Sequence, residues 1–164
     1  MQLLLSFLTI SLFIFNSASI NKNIDTTSPR IIDAYILVYD SIYNQPESIK
    51  GDYIILDMES YFFADTTYED RQKMINNFNK YNKVIVNSSL FKLKEIGLVD
   101  KLGNLRLNGE ILMIDCIDYT SYDNGIIIKA INYKSPIVAK FYTIKLAIEN
   151  NEWILKSITL NGVA

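Results

Sequence analysis

The sequence predicts an α+β domain in which N-terminal amphipathic helices pack on one face of a C-terminal antiparallel β-meander. Three observations carry that expectation. Ile31, Tyr35, Val38 and Ile42 recur at helical spacing with Ile32, Ile36 and Tyr39 beside them, which makes one wide apolar stripe. From Glu110 to Leu160 the chain is a succession of apolar runs broken by short turn signals. Two of those signals, Asn124-Gly125 and Asn150-Asn151, are residue types that accept the positive φ of a two-residue hairpin loop. Helices early and strands late segregate the two kinds of structure, the pattern of an α+β layer.

The first helix is expected from Ser28, read as its N-cap, with Pro29 at the first helical position, to Tyr43, where Asn44-Gln-Pro46 ends it. Asp52 to Asp57 reads as a short strand apolar on both sides. Thr66 and Glu69 have the spacing of a capping box for a second helix whose buried side is Met74, Ile75, Phe78 and Tyr81. Lys83 to Val86 reads as a brief strand, followed by a third helix capped by Ser88 or Ser89 and closed by Gly97. Lys101 to Asn104 is the turn into the meander. In the last hairpin a two-residue loop sets Ile148 opposite Trp153, Leu146 opposite Leu155 and Ile144 opposite Ser157, an apolar floor for the first helix. The same register sets Lys145 opposite Lys156, so that side is expected to be solvated or the register to slip at a bulge.

Ahead of the domain, Leu3 to Phe15 is an uncharged apolar run followed by Asn16 and the small residues Ser17-Ala18-Ser19. This pattern predicts a signal peptide over 1–19 cleaved before Ile20, a flexible mature N-terminus over 20–27 and a single domain over 28–164. The n-region lacks its usual Lys or Arg, so an uncleaved anchor or a buried apolar helix is the competing reading. The protein is expected to be exported, periplasmic or secreted, with no stable membrane insertion after cleavage.

The full chain has 164 residues, 16 Lys and Arg against 18 Asp and Glu, no His and one Cys. Charges are spread without a basic run, so no nucleic-acid partner is expected. Cys116 lies in an apolar run and is expected to be a buried, inert thiol that forms no internal disulfide.

The absence of His removes Ser-His and Cys-His nucleophiles, His general bases and His-containing zinc sites. No P-loop, dinucleotide fingerprint or Gly-x-Ser-x-Gly occurs either, and no cofactor is expected. Carboxylate, Lys or Tyr chemistry is left. Asp57 and Glu59 follow the first strand, and strict alternation places Asp115 with Ile111, Met113 and Ile117 but Asp118 with Leu112, Ile114 and Cys116. If its side were buried, Asp115 would be the candidate catalytic base; an exposed or salt-bridged Asp is the plainer alternative. Tyr35, Tyr39 and Tyr43, at i, i+4 and i+8, are the candidate ligand-binding row, or else seal the helix against the sheet. Oxygen ligands at 57–61 or 118–123 lack EF-hand spacing, and no metal site is expected.

The stretches Lys94 to Leu105, Asn108 to Asp115 and Tyr133 to Tyr142 resemble a group of small, exported, uncharacterised bacterial proteins, which bring no function with them. The early amphipathic helix and the ending Glu152-Trp-Ile-Leu155 are similar, more loosely, to the cystatin-like and NTF2-like architecture, which hosts enzymes and binders alike. The expected function is a non-enzymatic domain that binds a small apolar ligand or a protein partner between the first helix and the sheet. The alternatives are a small NTF2-like enzyme using a buried Asp as base, and an immunity-type protein with one protein partner.

Overall fold

The computed structural model describes residues 29–46, 48, 50–120, 122 and 124–164. The expected signal peptide, the 20–27 segment and the Ser28 cap lie outside the described residues. The elements in chain order are α1 (Ile31–Tyr43), β1 (Tyr53–Leu56), a 3₁₀ turn (Tyr61–Phe63), α2 (Tyr68–Phe78), β2 (Val84–Asn87), α3 (Leu90–Glu95), β3 (Gly109–Asp118), β4 (Gly125–Ser135), β5 (Val138–Glu149) and β6 (Glu152–Val163). The strands form one six-stranded sheet in the order β2-β1-β3-β4-β5-β6.

The class is the expected α+β, with β3 to β6 as the antiparallel meander. The sheet as a whole is mixed, because β1 runs parallel to both β2 and β3. The chain leaves β1 toward one edge to make β2, then crosses back over β1 to make β3. Parallel crossovers are right-handed, so two crossovers in opposite directions must use opposite faces. The helices obey this. Met74 and Phe78 of α2 share the main core with α1, Ile54, Leu56 and Leu112, whereas Leu93 of α3 packs on the other face with Ile55 and Ile111. This explains a β1 that is apolar on both sides, and it corrects the expectation that every helix lies on one face.

Local signals shift by single residues. The N-cap of α1 is Arg30, with extended backbone and no side-chain cap, so Pro29 precedes the helix instead of opening it. The capping box of α2 is Thr67 with Asp70, one residue beyond the expected Thr66 and Glu69. Asp70 wins because it serves two partners: its carboxylate accepts from the Thr67 N–H at 3.0 Å and from Arg30 at 2.5 Å, tying the start of α2 to the start of α1. Ser89 caps α3, and Gly97 closes it with φ +76°.

The two Asn turns behave differently. Asn150 and Asn151 both take positive φ, with Glu149 opposite Glu152, Ile148 opposite Trp153 and Leu146 opposite Leu155, as expected. The register then slips between Leu146 and Lys145, so that Lys145 faces Ser157 and Ile144 faces Ile158; the bulge keeps Lys145 off Lys156. At Asn124-Gly125 the expected two-residue loop does not form. The last β3–β4 pair is Asp118 with Ile127, and only Asn124 has positive φ. Gly125 is required for another reason: a Cβ there would stand 2.1 Å from the Leu146 carbonyl oxygen.

Strict alternation also fails within β3. Ile114 pairs with Ala130 but Cys116 with Lys129, which leaves Asp115 as an extra residue in a bulge. Ile117 therefore joins Leu112 and Ile114 on the α1 face. Cys116 is exposed, not buried as expected, because the bulge turns it to the open face opposite α1 beside the exposed Lys129.

Candidate functional site

An open cleft of about 420 Å³ lies where the first turn of α1, the 3₁₀ turn and the end of β3 meet. Each wall has a local cause. In the 3₁₀ turn successive side chains point roughly 120° apart, so the burial of one dictates where the others go. Phe63 is driven into the core, its ring 4.9 Å from that of Tyr35 and 6.2 Å from that of Tyr39. Tyr61 and Phe62 are thereby turned outward onto the cleft, their rings 4.0 Å apart. The Phe63 carbonyl holds the turn in place by accepting from Thr66 Oγ1 at 2.7 Å and from the Arg71 guanidinium at 3.0 Å.

From α1, Ile31 and Tyr35 line the cleft one helical turn apart. The Tyr35 hydroxyl donates to the Phe62 carbonyl at 3.2 Å, which fastens helix to turn. Ile117 comes from β3 and Tyr119 from just past its end. Ile117 reaches this face only because of the Asp115 bulge, and Tyr119 stands two residues on, one past the end of the strand. The remaining lining residue is Asp65. Tyr61 is 77% exposed and Tyr119 60%, so the rim carries aromatic surface that the fold has left in water. The phenol of Tyr35 is held far above its ordinary range by burial first, then by the neighbouring Tyr119 phenol and the Asp65 carboxylate.

Of the expected Tyr row, only Tyr35 reaches the cleft. Tyr39 and Tyr43 are core residues. The Tyr39 hydroxyl donates to the Asp57 carbonyl at 2.8 Å, and Tyr43 packs against Phe78 and Tyr81. Tyr39 and Tyr43 thus seal α1 against its neighbours, while Tyr35 lines the cleft together with Tyr61 and Tyr119. Those two carry no periodic signal in the sequence; a Tyr-Phe-Phe run after a strand was the available hint.

Asp115 is exposed at its bulge, so it is not the buried carboxylate that the enzyme alternative requires. Asp118 caps its own turn through Thr120, accepting from the backbone at 2.8 Å and the hydroxyl at 2.9 Å. The buried carboxylates are Asp57, Asp70 and Glu110. Burial raises the Asp57 carboxyl above its ordinary value, and its Oδ1 accepts from the Glu59 N–H at 3.1 Å, bracing its own loop. Glu59 receives the Ser89 N–H and hydroxyl and the Lys92 ammonium, all at 2.9 Å, and so anchors α3 to the end of β1. Glu110 accepts from Ser48 at 2.5 Å, and Asn132 donates to the same Ser48 oxygen at 3.1 Å. A charge at the start of an apolar run reads as a strand end, which hid the burial of Glu110.

Among the described residues no three carboxylate or Cys side chains converge where they would hold a metal ion, and no helix is long and apolar enough to cross a membrane. The oxygen-bearing stretch 118–123, from which no metal site is expected, lies partly outside the described residues. No protein-family model, curated protein or solved structure matches the chain. Fold and cleft define an α+β domain with a mixed sheet and one aromatic cleft at the α1 end.

Proposed function

We propose that the protein is a non-enzymatic, exported binding domain whose cleft between α1, the 3₁₀ turn and β3 takes up an apolar or aromatic group of a small ligand. One observation carries the reading: Tyr61 and Tyr119 stand exposed on the rim of a cleft floored by Ile31, Tyr35 and Ile117, while the tyrosines of α1 are buried. Two rigid aromatic side chains held open around a concave apolar floor supply contact area at low entropic cost. The cleft's volume falls in the ordinary range for small-molecule sites, which favours a ligand over a flat protein interface. A neutral aromatic probe such as indole, titrated while tyrosine ring resonances are followed by NMR, should perturb the cleft selectively. Tyr61→Ala and Tyr119→Ala should each weaken that binding about tenfold, roughly 1.4 kcal/mol. Perturbation spread over the surface, or binding indifferent to both changes, would count against the cleft.

Export is supported by the apolar run Leu3 to Phe15 and the small residues Ser17-Ala18-Ser19. Mass spectrometry of the protein from the cell envelope or medium should find Ile20 at the N-terminus. Finding Met1 there instead would remove the compartment.

A further inference from the structure

We infer that the ligand of this cleft is a small organic cation, an alkylated ammonium group on a short apolar body. The inference rests on the cleft being a ligand site and adds the charge of what fills it. Among the described residues, Asp65 is the one charged residue in the lining. Neither arginine of the adjoining elements neutralises it. Arg30 is held by Asp70 at 2.5 Å, and Arg71 is committed to the Phe63 carbonyl at 3.0 Å and to Thr66 Oγ1 at 3.1 Å. Among the described residues no Lys or Arg forms an ion pair with Asp65. A carboxylate left in this way beside an aromatic wall lacks a positive partner among the described residues.

The other groups of the cleft have the same polarity. The face of an aromatic ring is the negative end of its quadrupole, and Tyr35, Tyr61, Phe62 and Tyr119 all line the space. Among the described lining residues an anion would meet a carboxylate and no guanidinium or ammonium group. A hard divalent cation would find one carboxylate where it needs six or more oxygen ligands. An alkylated ammonium suits both halves of the site, because its methyl groups cover aromatic carbon while its diffuse charge is drawn to the ring faces and to Asp65.

The test is a titration of the whole folded protein, by calorimetry and tyrosine NMR, with three probes: choline, its neutral carbon isostere 3,3-dimethyl-1-butanol, and indole. Choline should bind at least about tenfold more tightly than the isostere. Asp65→Asn, a change on an exposed residue, should bring choline to within about threefold of the isostere and leave indole unchanged. Tyr61→Ala should weaken both choline and indole. Equal affinity for choline and isostere, or an Asp65→Asn protein that still prefers choline, would overturn the inference while indole binding kept the cleft reading intact. Failure of all three probes would overturn both. Choline binding that needs Asp65 but ignores Tyr61→Ala would also overturn it, since the charge would then be held without the aromatic wall.

Discussion

The aromatic side chains fall into two populations that sequence composition cannot tell apart. Tyr35, Tyr39, Tyr43, Phe63 and Phe78 form a continuous ridge beneath α1, each no more than 2% exposed, and they account for much of the main core. Tyr61 and Tyr119 are close neighbours of that ridge, yet remain largely in water. The difference lies in the backbone that carries them. The first set sits on a helix or turn whose inward face the sheet covers; the second sits at the far side of a tight turn and beyond a bulge, where both side chains stay largely exposed. Aromatic surface in the first group is bound up with stability, and in the second group it is available for a ligand.

Unequal costs of truncation should sharpen that contrast. Phe63→Ala removes a ring with no exposure at the junction of α1 and the 3₁₀ turn, and should cost about 3 to 5 kcal/mol in chemical denaturation. A loss below about 1 kcal/mol would show that the turn is not anchored as described. Trp153 occupies an intermediate position. It lies on the core face beside α1 as the hairpin register requires, but it is half-buried, and its indole N–H donates to the Arg30 carbonyl at 3.0 Å. Trp153→Ala should therefore cost about 2 kcal/mol, less than for a fully enclosed ring. Native emission as red as that of free indole would put Trp153 outside the core.

A smaller effect is expected at Glu59, and it depends on pH. Burial alone would raise this carboxyl, but the hydrogen bonds from Lys92 and Ser89 outweigh it and hold the group below its ordinary value of 4.5. A carboxyl with a lower pKa folded than unfolded stabilises the fold above the unfolded value and loses that contribution as pH falls through the folded one. Glu59→Gln should thus cost under about 1 kcal/mol at neutral pH, as befits a partly exposed ion pair, and the gap should close as the pH is lowered below the ordinary carboxyl value and through the folded one. A gap that widened on acidification would reverse the assignment. Smallest of all, Tyr61→Ala and Tyr119→Ala should change stability by less than about 0.5 kcal/mol, the range of ordinary surface substitutions. A loss near that of Phe63→Ala would merge the two populations and remove the argument for an open aromatic rim.

The two Asn turns show how far local chemistry reaches. At Asn150-Asn151 the strands on either side are in register to within the loop, so the turn preference prevails. At Asn124-Gly125 the same type of signal is overridden, because Asn124 and Gly125 already align with β5: the Ile148 N–H donates to the Asn124 carbonyl at 3.0 Å and Gly125 pairs with Ala147. Residues 119–124 are consequently the connection from β3.

Sequence by itself determined the α1 stripe, the order of helices and meander strands, the turn of the final hairpin, and the absence of His chemistry. Each of these depends on spacing within one segment or on residue type alone. That the Lys145–Lys156 conflict is relieved by a bulge, one of two outcomes the sequence left open, was decided by the structure. Only the tertiary structure decided that β1 and β2 join β3 in parallel, that α3 takes the opposite face, and that a bulge at Asp115 exposes Cys116 and brings Ile117 and Tyr119 to the cleft. Alternation assigns a side chain to a face only while the backbone keeps its two-residue period. One inserted residue reverses every assignment after it, and its place is set by how β3 must fit β4 and the underside of α1 rather than by anything written in β3 alone.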